Sequence, residues 1–370
     1  MEPTAVDASG RPVGVPSVSG GPAGPDYLHA MPDLANDRRL DPRIKAMLGA
    51  MAESPPSDVA SREELVEEAA SNAEMARAIT SFMEVHDTEE VAPSAGLTMS
   101  AHSFTSTPDG NTVQLNLIRP EGDETLPCIY YIHGGGMATL SAFDGNYRAW
   151  GRIIAANGVA VAMVDFRNSV MPSSAPEVAA YPAGLNDCVA GLHWVVDNAA
   201  TLGIDPGRVT LAGESGGGNL SIATTMRLKS TGELGVIRGL YAMCPYIAGE
   251  WPQARYPSST ENNGILLSLH DNRPRMGYGI EAFEAKDPMA WPGFATVDDV
   301  RGFPKTMISV NELDPLRDEG IEFYRLLLEA GVAARCRQVM GTMHGTEVFP
   351  LVCTEISRDT ARDLAGFAME

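Results

Sequence analysis

A serine hydroxyl forms and breaks acyl bonds at neutral pH only when a base stands beside it and something receives the charge it creates. One serine has the setting for this: Gly213-Glu214-Ser215-Gly216-Gly217, a G-x-S-x-G pattern. In a chain with 37 glycines the pattern alone is weak. Its context sharpens it, because a strand pattern (Arg208 to Ala212) precedes it and a helical one (Leu220, Ile222, Ala223, Met226) follows. A sharp strand-to-helix turn forces the serine into a strained backbone region and needs small residues two before and two after it. It also sets the hydroxyl at a helix N-terminus, where unpaired N–H groups favour negative charge. The competing reading is a phosphate-binding or merely tight turn, yet 213–218 lacks the Lys-Ser/Thr of a P-loop and the glycine spacing of a dinucleotide site.

Charge developing on a carbonyl oxygen needs N–H donors. His133-Gly134-Gly135-Gly136 closes the apolar run Pro127 to Ile132, and its bare backbone lets amides approach a substrate oxygen closely. Losing one such donor typically costs about 3 kcal/mol of transition-state stabilisation. Gly135 and Gly136 are the expected donors, with the amide of Gly216 as a third; His133 is expected to hold the loop by a side-chain hydrogen bond.

Seven histidines are candidates for the base: His29, His86, His102, His133, His193, His270 and His344. In the α/β-hydrolase arrangement the acid and then the base follow the nucleophile in chain order, which leaves His270 and His344. His270 falls in an irregular stretch ahead of the strand that should carry the acid. His344 follows the last strand by a short loop, Met340-Gly341-Thr342-Met343, and is the expected base. For the orienting acid, Asp314 lies just past the strand 305–310 and is stiffened by Pro315. Glu312 and Asp318 compete; Asp318 is expected to help start the next helix and Glu312 to make local loop bonds.

Those residues need a scaffold that gathers strand ends. Strand patterns occur at 101–107, 112–119, 127–132, 158–164, 208–212, 238–243, 305–310 and 334–339, the first two joined by the hairpin signal Pro108-Asp109-Gly110-Asn111. The later strands alternate with helical patterns near 146–156, 183–200, 216–230, 317–330 and 354–368. Alternation of this kind implies an α/β fold, a mostly parallel eight-stranded sheet with helices on both faces. Upstream, residues 1–35 read as a flexible arm rich in Gly, Pro, Ser and Ala. One helix follows from Asp41-Pro42 to about Ala52. A second opens on the capping box Ser61…Glu64 and carries the stripe Leu65, Ala69, Ala73, Ala76, Ile79, Met83. Between about 245 and 300 the alternation breaks into an insertion rich in Pro, Gly, Asn and aromatic residues.

Composition narrows the function classes. The 370 residues carry a formal net charge of −21, which argues against nucleic acid and anionic membranes as partners. Cys128, Cys188, Cys244, Cys336 and Cys353 show neither a disulfide framework nor metal-ligand spacing and read as reduced thiols. The chain shows no signal-peptide pattern and no run approaching a membrane span. A soluble, cytoplasmic protein is the expectation.

Joined, HGGG (133–136), VDFRN (164–168), GESGGGNL (213–220), NELDPLRDEG (311–320) and HG (344–345) resemble the hormone-sensitive-lipase group of α/β-hydrolases, and within it the branch of bacterial brefeldin A esterase. The resemblance covers about 100–370. It implies an α/β-hydrolase domain over 100–370, with a helical cap built from 36–99 and the 245–300 insertion. It also implies a serine carboxylesterase acting on small esters, with the triad Ser215, Asp314 and His344, the oxyanion donors Gly135, Gly136 and Gly216, and neither metal nor organic cofactor. Glu214 and Gly216 depart from the wider family's Asp and Ala, and Asp165-Phe166-Arg167-Asn168-Ser169-Val170 from its DYRLAPE, so substrate preference does not carry over. Met137, Tyr246, Trp251 and Phe349 are expected to shape the pocket. The expected partner is a small-molecule ester, with a homodimer left open. The alternatives are a triad hydrolase of lactones or amides and a non-catalytic binding module on the same fold.

Overall fold

In the computed structural model of this chain, which describes residues 34, 36–48 and 56–370, the short apolar runs assemble into one eight-stranded sheet. The expected arm, 1–35, lies outside the described residues apart from Leu34, as does the continuation of the first helix to Ala52. The strands are β1 (Leu97–Thr105), β2 (Thr112–Pro120), β3 (Leu126–Ile132), β4 (Ala160–Asp165), β5 (Ile204–Glu214), β6 (Gly239–Met243), β7 (Lys305–Asn311) and β8 (Ala334–Val339), in the order β1-β2-β4-β3-β5-β6-β7-β8. β2 pairs antiparallel with β1 and β4, and all pairs from β4 through β3 to β8 are parallel. The β1–β2 hairpin turns through Gly110 at φ +78°, a backbone region that glycine enters without penalty.

Period-two alternation sorts the strand side chains between two layers. In β3, Cys128, Tyr130 and Ile132 face one core while Ile129 and Tyr131 face the other, and β4 divides likewise. Helices α5 (Ala183–Asp197), α7 (Gly216–Thr231) and α12 (Arg317–Glu329) cover the first face, with the short α6 (Ala199–Leu202) between α5 and β5. Helices α4 (Gly145–Ala155) and α13 (Thr354–Met369) cover the second, where Trp150 and Leu364 are fully buried. Covering both faces explains why β3, β4 and β6 are buried along their whole lengths.

The early helices differ in detail from the sequence expectation. The first, α1 (Pro42–Leu48), buries Ile44 and Leu48 in the second core. The apolar stripe that reads as one helix is carried by two, α2 (Arg62–Ser71) and α3 (Ala73–Glu84), divided at Asn72. Asparagine competes with helix by bonding its own backbone surroundings, and Asn72 leaves helical geometry at φ −98°, ψ 61°. The Ser61 cap forms, its hydroxyl accepting from Glu64 N at 3.3 Å, but the Glu64 carboxylate reaches Ala60 N at 2.6 Å rather than Ser61 N. The α3 end is tied to α4 through Arg148, which bonds Glu84 at 2.8 Å and Asp87 at 2.7 Å.

Between β6 and β7 the irregular stretch contains four short helices, α8 (Ser258–Glu261), α9 (Arg273–Tyr278), α10 (Ile280–Glu284) and α11 (Val297–Val300). Its root is clamped by Glu319 of α12, which accepts from Ile247 N at 2.7 Å, Ala248 N at 3.2 Å and Trp251 Nε1 at 2.7 Å. Burial pushes that carboxyl up to about 8. Asp318, expected at the start of a helix, is the second residue of α12, and its carboxylate accepts from Ser258 N at 2.7 Å. The α9 start is tied to the N-terminal segment by Arg273, bonded to Glu68 of α2 at 2.6 Å and to Ser57 O at 2.7 Å.

Candidate active site

Ser215 stands between β5 and α7 at φ +57°, ψ −121°. A side-chain-bearing residue held at positive φ costs about 1–3 kcal/mol, and the surroundings must over-determine it. They do: Ser215 N donates to Met243 O at 3.0 Å, and Ser215 O accepts from Asn219 N at 3.0 Å and Tyr246 N at 3.1 Å. The small flanking residues are obligatory. A Cβ at Gly213 would stand 2.5 Å from Ile132 O, and one at Gly217 only 1.9 Å from that same oxygen.

The glycine loop that follows β3 comes against this turn. Gly135 and Gly136 take φ +90° and +62°, and their amides have no acceptor among the described residues. A Cβ on Gly216 would lie 2.5 Å from Met137 N and 2.8 Å from Gly136 N. Here the wider family's alanine does not fit, because the loop backbone occupies its place. Gly135, Gly136 and Ser215 line one cavity, and Gly216 packs against the glycine loop beside them. His133 holds the loop as expected, its Nδ1 lying 3.0 Å from Gly134 O and its ring stacked on Phe166 at 4.3 Å between centroids.

Glu214 joins loop and turn, a role that sequence reading missed. Its Oε1 accepts from Gly134 N at 2.7 Å and Tyr147 OH at 2.5 Å, and its Oε2 from Tyr131 OH. A Cβ on Gly134 would meet Oε1 at 2.4 Å, so this clamp explains the first glycine of the run. Burial pushes the carboxyl up to about 7 against these three donors.

Beyond the last strand, His344 Nδ1 lies 2.8 Å from Asp314 Oδ2. Asp314 is fully buried, and its other oxygen accepts from Leu316 N at 2.8 Å, which leaves Oδ2 for the imidazole. Burial pulls the His344 ring toward neutrality, but the Asp314 carboxylate and the Cys244 thiol outweigh it and hold the imidazolium form up, above the ordinary 6.5. The loop carrying His344 is pinned by Asn311 at the end of β7. Its Nδ2 donates to Thr342 Oγ1 at 2.9 Å and Glu347 Oε2 at 3.1 Å, and its Oδ1 accepts from Gly345 N at 3.3 Å. Glu312 makes the expected loop bond, accepting from Gly341 N at 2.7 Å. His270 lies outside this group, its Nε2 2.8 Å from Ser259 O.

Ser215 and His344 face the same cavity without a hydrogen bond joining them. Bonds of this kind are commonly long before substrate binds and tighten with it. Cys244, Asp314 and His344 bring ligand-type atoms within 4.8 Å of one another, the one such group among the described residues. A metal there would compete with the Asp314–His344 bond and occupy the base. The Cys244 thiol is pushed up to about 11 by burial.

The cavity measures about 550 Å³. Its outer wall is largely apolar, with Pro56 and Leu65 from the N-terminal segment, Val170 and Met171 after β4, and Leu266 and Leu267 from the insertion. Tyr246 and Phe349 line it as expected. Met137 and Trp251 do not: Met137 is buried in the core, and Trp251 stacks behind Tyr246 at 4.8 Å between centroids. Among the described residues no helix is long and apolar enough to cross a membrane.

Comparison with known proteins places this geometry. The chain is 59% identical to the esterase Est22, with a TM-score of 0.90, over 92% of this chain and all of that one. A further structure shows Est22 with p-nitrophenol. Brefeldin A esterase, described as a bacterial homologue of human hormone-sensitive lipase, is 34% identical with a TM-score of 0.79, over 90% of this chain and 94% of its own. The carboxylesterase NlhH of Mycobacterium tuberculosis is 33% identical over 260 residues, 66% of this chain and 73% of its own. The family model described as alpha/beta hydrolase fold matches residues 129–348. That match takes in the glycine loop, the serine turn, Asp314 and His344, and the chain belongs to the alpha/beta hydrolase fold family.

Proposed function

We propose that this chain is a serine carboxylic-ester hydrolase working through an acyl-enzyme on Ser215. As Ser215 Oγ attacks the ester carbonyl carbon, His344 takes its proton at Nε2. Asp314, bonded to Nδ1, fixes the ring's tautomer and stabilises the imidazolium. The former carbonyl oxygen, now negative, is received by the amides of Gly135, Gly136 and Gly216. When the intermediate collapses, the C–O bond to the alcohol breaks and His344 returns the proton to the departing oxygen. Water repeats the sequence on the acyl-enzyme, releasing the acid and restoring Ser215. The cycle calls for no metal or organic cofactor.

The observation that carries this reading is the 2.8 Å Asp314–His344 bond at the wall of a cavity shared with Ser215 and two glycines whose amides have no acceptor among the described residues. The esterase and carboxylesterase names of Est22 and NlhH support ester substrates. The apolar 550 Å³ cavity suits small aryl or alkyl esters, and p-nitrophenol beside Est22 points the same way. α2 and the insertion, joined by the Arg273–Glu68 pair, form the cap over the site in this reading. Five free thiols suit a reducing compartment, so we place the enzyme in the cytoplasm, which cell fractionation would check. Ser215→Ala should abolish hydrolysis of p-nitrophenyl butyrate and labelling by an organophosphate while the circular-dichroism spectrum is kept. Retained turnover in that variant would overturn the assignment.

A further inference from the structure

A carboxylate of the insertion, in the cavity wall, takes no part in this cycle. Asp271, in the insertion just ahead of α9, lines the same cavity as Ser215 and His344 and is 8% exposed. Its Oδ1 accepts from Arg273 N at 2.8 Å, and Oδ2 has no donor among the described residues. Two cations, Arg273 and Arg275, favour its ionised form at a distance, but among the described residues neither makes a side-chain bond to it. The Arg273 guanidinium is held by Glu68 and Ser57 O, and Arg275 pairs with Glu250 at 3.1 Å. Asp58 is the other charged group near it, of the same sign. A carboxylate oxygen withdrawn from water without a donor of its own is costly and is normally satisfied by a hydrogen bond. Burial pushes this carboxyl up against the Arg273 backbone bond and the charge of the two arginines. Tyr246, in the wall beside Gly136, also feels its charge.

We propose that Asp271 is a substrate-recognition carboxylate whose free oxygen accepts a hydrogen bond from a hydroxyl or ammonium group of the ester, selecting donor-bearing esters over their unsubstituted analogues. The inference rests on the ester-hydrolase reading and names a substrate class within it. The surrounding wall explains why one acceptor matters: Leu266, Leu267, Leu269, Val170 and Met171 supply contact area without direction, and a buried carboxylate among them then sets orientation. A site built to bond a donor discriminates more sharply than an apolar pocket does, because an analogue lacking the donor leaves the protein's group unpaired.

The test is a set of matched p-nitrophenyl and alkyl esters differing only by a hydroxyl or amine, on the acyl chain in one series and on the alcohol in the other. The readout is the ratio of kcat/KM within each pair, measured on one preparation, so that partial loss of folded enzyme cancels. Wild type should favour the donor-bearing member of at least one pair by about 10- to 100-fold, the range of a hydrogen bond to a charged group. Asp271→Leu should bring that ratio to about one, and Asp271→Asn, closer in shape if the leucine variant does not fold, should reduce it by about 10-fold. No preference in wild type, or a preference undiminished in both Asp271→Leu and Asp271→Asn, overturns the inference. Failure of wild type to hydrolyse either member of every pair would instead overturn the ester-hydrolase reading beneath it.

Discussion

Replacing Glu214 by glutamine or by alanine separates its ionisation from its hydrogen bonds. The carboxyl is fully buried and raised from its ordinary 4.5 to about 7. A shift of that size corresponds to about 3 kcal/mol of preference for the protonated form in the folded state. Between those two values the folded protein holds a proton that the unfolded chain has released. The stability this group contributes is therefore fully present below pH 4.5 and is lost as pH rises to about 7. Glutamine carries no such proton. It keeps an oxygen for Gly134 N and Tyr147 OH, and its amide can donate to Tyr131, whose hydroxyl is free to turn. Urea unfolding of both proteins at pH 5 and pH 8, followed by tryptophan fluorescence, should show wild type losing about 2–3 kcal/mol more than Glu214→Gln across that interval. Alanine removes the acceptor from three buried donors and should cost about 3 kcal/mol or more at either pH. It should also lower kcat by about 10-fold or more, because Gly134 anchors the loop whose next two residues line the cavity. Parallel pH profiles for wild type and Glu214→Gln would refute the reasoning, since they would mean that no proton is taken up at Glu214 on folding.

Three further outcomes follow from the site. Asp314→Asn should lower kcat by about 10⁴-fold, as loss of the orienting carboxylate does in triads generally. In wild type, kcat/KM should rise with pH through a limb centred above 6.5, because His344 works deprotonated and the Asp314 carboxylate and Cys244 outweigh burial in holding its proton. The residual activity of Asp314→Asn should show that limb at lower pH, and an unmoved limb would mean another group controls it. Gly216→Ala, harmless by composition, should reduce kcat by about 100-fold or more, since its methyl group would stand 2.5 Å from Met137 N and push the glycine loop off the turn; near-normal turnover would show that the loop can yield.

The fold was legible because its signals are local. Apolar runs such as Val159 to Val164 could only be strands covered on both sides, and β4 is buried along its whole length. The serine turn, the glycine loop and the His344 loop were legible for a related reason: each sits at a strand's carboxyl end, so the alternation that builds the sheet also brings their ends to one edge. The break at Asn72 was hidden, since a helical stripe continues in phase across a single non-helical residue. What only the tertiary structure decided is who faces whom across the fold. Glu214 reads as a variant of a motif position, but its partners lie 67 to 83 residues away, at Tyr131, Gly134 and Tyr147. Asp271 reads as one acidic residue among 48, and its burial in a largely apolar wall depends on how the insertion packs on α2. Periodicity and motif spacing report the angle at which a side chain leaves its own backbone; they carry nothing about the desolvation and pairing imposed by distant segments, and those set the ionisation of Glu214, Asp271 and His344.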